Sequence, residues 1–242
     1  MFAKATIYKP KTTKSLLTSL RTFFRFLRMI NEIRVPLEDV IPTVPDRRLS
    51  TIPRYLTEEQ LQSLLSSFDL SSPIGLRNRA MALLMARVGL RSCEVAQLTL
   101  DNVNWRDGII QIDKSKSRRG SSLPLPREAG QALVAYIRKG RPCSKERCIF
   151  LTHTFPAGRP LLPTAVSVTI RRAFKRSGLG IRPCGSHTLR HTLATQLLRK
   201  NATLKEIADI LRHRSIETTN IYAKVDLEKL SQVALPWPEV KS

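Results

Sequence analysis

The chain has 242 residues, 42% of them hydrophobic and 25% charged, proportions that suit a globular protein and argue against disorder. Its 41 Lys+Arg stand against 19 Asp+Glu, a net charge of +22, and a polyanionic partner is the obvious way to neutralise such a surface. No apolar run approaches the roughly 18–20 residues that span a bilayer, the opening MFAKATIYKPK lacks an apolar signal core, and four scattered cysteines suit a reducing compartment, so a membrane span and a disulfide-stapled secreted domain are excluded in favour of a soluble, cytoplasmic protein.

Residues 1–50 carry 10 basic and 4 acidic groups, a net +6, which leaves +16 for the rest of the chain. The excess is therefore spread out, as an extended or wrapping contact surface requires. A basic RNA-coating protein would show the same charge.

Residues 12–34 place Leu16, Leu20, Phe23, Phe24 and Leu27 at three- and four-residue spacing with basic residues between, which predicts an amphipathic helix. Pro36, Pro42, Pro45 and Pro53 then interrupt any helix and predict a linker over 36–53, between a small amino-terminal piece (1–35) and a main domain (54–242). The main domain opens on Thr57-Glu58-Glu59-Gln60, a capping box for a helix to about Ser67. RNRAMALLMARVG predicts a second helix closed by a left-handed Gly89, and Arg91 begins a short helix through about Leu98. Trp105–Gly108 reads as a turn into a strand, Ile109–Asp113, which pairs across KSKSRRG with Ser121–Leu125. The tip of that hairpin carries Lys114, Lys116, Arg118 and Arg119. Helices follow over 127–139, 163–177, 187–200, 204–212 and 216–224, with a weaker one after 226, and Thr203–Glu206 is a second capping box. The expected fold is mainly α with a small antiparallel β-sheet, in the α+β class.

On a helix His187 and Arg190 lie at i and i+3 and share a face, while Leu189, Leu193, Ala194 and Leu197 anchor the other side. In isolation they read as polar residues on a solvated face, but three of the four histidines, His187, His191 and His213, fall between 187 and 242. HTLRH is also H-x-x-x-H, yet Thr188 stands where a zinc hydrolase needs glutamate, and Cys143, Cys148 and His153 lack a CxxC knuckle. No metal or other cofactor is expected, and Cys93 and Cys184, like the other two, read as incidental thiols.

Tyr222 follows the polar stretch Ile216–Asn220 and is expected near the surface. A phenol is only about 0.1% ionised at pH 7, so a tyrosine nucleophile needs cations or a proton acceptor beside it. Arg91, Lys116, His187, Arg190 and His213 offer both, and guanidinium forks suit the charge that builds on a pentavalent phosphorus.

The strings GLRSCEVAQL around Arg91, HTLRHTLAT around His187 and Arg190, and LRHRSIETTNIYAKV around His213 and Tyr222 resemble the signature boxes of the tyrosine recombinase, or phage integrase, family. TEEQL near 57 and TSLRTFFRFL near 18 extend the resemblance over nearly the whole chain. It implies site-specific cutting and rejoining of double-stranded DNA, for integration or other recombination, with no cofactor. Tyr222 would attack the scissile phosphate to form a 3′-phosphotyrosyl link. Arg91 and Arg190 would clamp the non-bridging oxygens, His213 would donate a further hydrogen bond, and His187 would assist proton transfer at the tyrosine. Lys116, with Lys114 as the fallback, would protonate the leaving oxygen, and Glu94 would brace the site. Lys114, Arg118, Arg119, Arg171, Arg172, Lys175 and Arg176 are expected to face DNA.

The tail VDLEKLSQVALPWPEV resembles the family segment that docks on a neighbouring subunit, with Leu227, Leu230 and Val233 as its apolar stripe, although the same residues would also pack in cis. Two departures stand out: only about 50 residues precede the main domain where the family carries a larger helical clamp, and the tip SRRGSS is unusually basic. The expectation is a truncated or remnant member whose smaller clamp makes fewer phosphate contacts. Three alternatives stay open: a non-catalytic DNA-binding remnant, a basic RNA-binding protein, against which the 6% aromatic content counts, and a zinc hydrolase.

Overall fold

The computed structural model describes residues 10–44, 53–112, 120–180, 185–213, 215 and 218–225, in two compact units, Met1–Thr51 and Ile52–Ser242. In the first unit α1 spans Pro10–Met29 and a short α2 spans Leu37–Val40, inside the stretch expected to be linker. Two ties hold this pair together. Arg21 donates to the carbonyls of Ile41 and Pro42, each at 2.9 Å, and Arg28 meets the buried carboxylate of Glu38 at 2.7 Å. The stripe expected from spacing forms a helix but no core: Leu16, Leu20 and Phe23 stay 41–52% exposed, and Phe24 and Leu27 are half-buried.

In the second unit α3 (Glu58–Ser66) starts at the expected capping box, with Thr57 and Gln60 exchanging both bonds. A longer helix than expected follows, α4 (Pro73–Leu83), capped by Ser72 and continued by a π-helical turn, Leu84–Val88, up to Gly89 at φ +74°. Arg91 then caps α5 (Ser92–Gln97), and a 3₁₀ turn at Leu100–Asn102 leads into the sheet. The sheet runs β1 (Val103–Asn104), β2 (Ile109–Ile112), β3 (Ser121–Pro124), antiparallel throughout, with Ile110 opposite both Val103 and Leu123. Those three side chains are the buried face. β1 has two residues and no sequence period, so only its pairing reveals it. Asp113 and the tip cations lie outside the described residues.

The remaining helices are α6 (Arg127–Lys139), α7 (Pro163–Arg176), α8 (Ser186–Arg199) and α9 (Leu204–Leu211). α4 packs on α6 and α7, α5 on α7, and α8 on the π turn and α9. The stretch expected as a helix over 216–224 holds a 3₁₀ helix, Asn220–Val225, while Ile216, Glu217 and everything after 225 lie outside the described residues. The architecture is thus mostly helical with one small antiparallel sheet.

Two apolar clusters form the interior, and α8 belongs to both. Leu189 sits in the large cluster built from α3 to α7, whereas Leu193, Ala194 and Leu198 join Ile207, Leu211 and Tyr222 in a smaller one. Thr192 ties the helix down at its middle, accepting from the Leu56 amide and donating to the Thr188 carbonyl, both at 2.9 Å. Arg190 therefore sits at the seam between the clusters.

Candidate active site

Three arginines converge at that seam. Arg190, 5% exposed, donates to the carbonyls of Gly89 and Leu211. Arg91, at the start of α5, donates to Glu94 at 2.8 Å and to the carbonyls of Leu211 and Arg212 at 3.3 and 2.9 Å. Arg212 donates to the other Glu94 oxygen at 2.6 Å. It does so from a left-handed backbone at φ 53°, a conformation that costs a non-glycine residue about 1 kcal/mol or more and recurs at functional sites.

Glu94 is the carboxylate among these three cations. Burial pushes its pKa up, but Arg212 and Arg91 outweigh burial and hold it below the usual range. Arg190 has only carbonyls as hydrogen-bond acceptors here; burial, and then the charges of Arg91 and Arg212, lower its pKa to about 9. It still carries its charge at pH 7. A buried guanidinium of this kind is short of an anion.

The space in front of it is a cavity of about 620 Å³ lined by Arg91, Ser167, Arg171, His187 and Arg190 among others. Its wall is fixed by a 2.9 Å bond between the hydroxyls of Ser92 on α5 and Ser167 on α7. His187 is exposed at the start of α8, so the face it shares with Arg190 runs from solvent into the interior rather than along a solvated surface.

Tyr222 is not near the surface, as the polar stretch before it suggested. It is 1% exposed, because the 3₁₀ helix after Thr219 turns its ring into the small cluster. Its hydroxyl lies 2.7 Å from Nδ1 of His191, with the rings edge to face at 5.6 Å. Burial pushes the phenol up to about 12, and Arg190 pulls against that rise. His191 is pushed down to about 4 by burial and then by the charges of His187 and Arg190, so it is a neutral imidazole at pH 7. His213 is also lowered to about 4, by burial first and Arg190 next, and its Nδ1 lies 2.7 Å from the hydroxyl of the fully buried Thr219.

The structure therefore brings Arg91, Arg190, His213 and Tyr222 together, with His187 at the rim and Glu94 as the brace. Lys116, Lys114, Arg118 and Arg119 lie outside the described residues, as do Leu227, Leu230, Val233 and Cys184. Arg171, Arg172, Lys175 and Arg176 are exposed along α7, whose other face buries Val166, Ile170, Ala173 and Phe174. Cys143, Cys148 and His153 do not form a metal-binding group, and neither does any other set of three among the described residues. Sequence reasoning did not find Arg212, Thr219 or the contact of His191 with Tyr222. Arg212 adjoins His213 and His191 adjoins Arg190, but nothing in those strings says which neighbour points inward.

Residues 54–229 match the model of the phage integrase family. The chain belongs to that family. A putative integrase/recombinase of Sinorhizobium fredii, y4rA, is 40% identical over 94% of this chain and 55% of its own length, and a second from the same organism, y4rF, is 37% identical over 93% and 54%. The chain thus spans about half the length of these relatives. The tyrosine recombinase XerD of Listeria innocua is 31% identical over 96% of this chain and 77% of its own. Among solved structures, the XerH site-specific recombinase in a post-cleavage complex with its palindromic substrate superposes with a TM-score of 0.68 at 26% identity, over 84% of this chain and 58% of that one. The Tn1549 transposon integrase shares the fold, with a TM-score of 0.70 at 19% identity over 94% and 81%. Of the residues in its three signature boxes, Arg91, His187 and Arg190 line the cavity, while Tyr222 lies in the small apolar cluster behind it.

Proposed function

We propose that this phage integrase family member is a site-specific DNA strand transferase that cuts and rejoins double-stranded DNA through a 3′-phosphotyrosyl intermediate. The observation that carries the reading is Arg190: a buried guanidinium with carbonyl acceptors alone that lines a cavity together with Arg91. A phosphodiester supplies the missing anion. XerD is named a tyrosine recombinase and XerH a site-specific recombinase, the latter in a post-cleavage complex with its substrate, and the Tn1549 integrase is in complex with a circular intermediate DNA, which supports the same substrate class here.

In this mechanism the Tyr222 hydroxyl attacks phosphorus in line with the 5′ oxygen, the P–O5′ bond breaks, and Lys116 protonates the departing oxygen. Arg91 and Arg190 hold the non-bridging oxygens as negative charge accumulates, each fixed beforehand by the carbonyls of Gly89, Leu211 and Arg212. His213 and His187 add hydrogen bonds to the phosphate. Thr219 fits His213 to that task, since a hydroxyl donating to Nδ1 leaves an N–H on Nε2. A second strand's 5′-hydroxyl then attacks the phosphotyrosine and releases Tyr222. Self-association on DNA through the tail after residue 225, at a cytoplasmic site of action, completes the proposal.

The test uses a pool of nicked duplexes of randomised sequence, incubated with the chain and captured as adducts that survive denaturation. Wild type is expected to yield adducts enriched in one sequence, Tyr222→Phe none, and Arg190→Ala about 10²–10³ fewer per unit time. Adducts from Tyr222→Phe would remove the nucleophile. Duplex binding by wild type with no adduct would make the chain a DNA-binding protein without strand transfer.

A further inference from the structure

The geometry points to Arg212 as a positioning residue for strand transfer: it occupies one oxygen of Glu94, so that Arg91 stays at the cavity and available to the phosphate. This rests on the strand-transferase reading above. Arg212 is not part of the cavity's lining and acts from behind it, through Glu94.

Residue 212 meets Arg91 by two routes. Its carbonyl accepts from Nη2 of Arg91 at 2.9 Å. Its own Nη2 donates at 2.6 Å to Oε2 of Glu94, whose other oxygen, Oε1, accepts from Nη1 of Arg91 at 2.8 Å. The Arg91 amide also donates to Oε2, at 2.7 Å. The Arg212 and Glu94 side chains are 10% and 4% exposed, so salt screens their pairing little. Both routes start from the left-handed turn that ends α9, where Arg212 has φ 53° and ψ 50°. Glycine is the residue that takes such a turn without strain. An arginine there carries a backbone cost, and its tie to Glu94 is the contact that sets it apart from a plain helix stop.

Charge explains what the tie does. Left to one arginine, a carboxylate pairs with it as a fork, through two parallel hydrogen bonds. Such a fork would neutralise Arg91 and draw it back onto α5. With Arg212 in place the carboxylate is shared between two guanidinium groups, and Arg91 keeps Nη2 on the carbonyls of Leu211 and Arg212. Three guanidinium charges less one carboxylate then leave a net +2 at the seam, which suits a phosphate gaining negative charge.

The experiment compares wild type with Arg212→Gly and Arg212→Lys in single-turnover adduct formation on the duplex recovered from the randomised pool. Glycine suits the turn but leaves Glu94 to Arg91 alone, whereas lysine restores one cation for Oε2 without relieving the backbone. Arg212→Gly is expected to bind the duplex within about threefold of wild type, with the same salt slope, and to react about 10–100-fold more slowly at saturating DNA. Arg212→Lys is expected to recover most of that rate while melting no higher than Arg212→Gly. Should Arg212→Gly not fold, Arg212→Asn, which also tolerates the turn, replaces it. An Arg212→Gly rate within about threefold of wild type makes residue 212 a helix stop only and overturns the assignment. So does a lysine variant no faster than the glycine one, or a salt slope smaller by about one, the mark of a direct phosphate contact. A DNA-free measurement keeps this role apart from the function itself. With ¹⁵N-labelled arginine, the Arg91 Nε resonance is expected to move in Arg212→Gly and to return toward its wild-type position in Arg212→Lys. A resonance that stays in place in Arg212→Gly overturns the tie even if no duplex reacts, whereas the expected shifts in a chain that forms no adduct count against strand transfer and not against the tie.

Discussion

Arg190 shows how a residue that costs stability marks the site. Placing a guanidinium in the interior against carbonyl acceptors leaves a charge without its counter-ion, and the lowered pKa of about 9 reports that burial together with two neighbouring arginines. The histidines beside it stay neutral for the same reason, which makes folding depend on pH. His191 and His213 have folded-state pKa values near 4, below the ordinary 6.5. Between those values the unfolded chain binds protons that the folded chain refuses, so stability is complete above about pH 6.5 and falls as the pH drops toward 4. Near pH 5 unfolding is expected to take up close to two protons from this pair, a slope of at most about 2–3 kcal/mol per pH unit. Thermal melts of wild type and His191→Asn/His213→Asn across pH 4–7 check this. The double variant should lose most of the slope, and one as steep as wild type would clear the histidines. The residue types were legible in HTLRH and LRHR, but a histidine's neutrality comes from burial that no local string records.

Among the elements, the junction at Gly89 joins α4 and its π turn to the site. Its φ of +74° is left-handed, and a Cβ there would meet the Leu193 and Leu211 side chains at 2.9 and 3.0 Å. Its carbonyl also accepts from Arg190. Gly89→Ala is therefore expected to cost about 1–3 kcal/mol and to slow adduct formation by shifting the arginine. Gly108→Ala has a similar φ of +63° but open space around it, so melting the two side by side separates backbone strain from the lost close approach. Equal losses in both would mean that the Leu193 and Leu211 contacts do not matter. Gly89 as a helix stop, and the capping boxes at Thr57 and Thr203, were readable because each rests on residues within one turn. The π turn and β1 were not, since one answers to packing under α8 and the other to pairing with β2.

For the whole molecule the charge is the dominant quantity. A net +22 predicts binding to duplex DNA of arbitrary sequence, weakening with salt as counter-ions return to the phosphates. Replacing Arg171, Arg172, Lys175 and Arg176, all exposed on α7, with alanine is expected to reduce the slope of log K against log salt by up to about 3–4. Titrations of a random duplex between 50 and 200 mM salt give that slope directly. A slope unchanged by the fourfold variant would place the DNA face elsewhere. None of the described helices is long and apolar enough to cross a membrane. The amino-terminal unit holds its two helices through Arg21 and Arg28 while leaving the apolar stripe of α1 exposed.

The sequence by itself determined the family, the mainly helical class and the residue types of the site, because these depend on local period, local caps and strings of neighbours along the chain. Tertiary structure alone decided which groups meet. Tyr222 and His191 are 31 positions apart, and Arg212 reaches Glu94 across 118 positions. Whether a tyrosine near the end of a chain faces solvent or an imidazole depends on how the 3₁₀ helix packs over α8, and such packing is a property of the folded whole. The three boxes that name the family lie far apart along the chain and meet where Arg91 and Arg190 donate to the carbonyls of Gly89, Leu211 and Arg212.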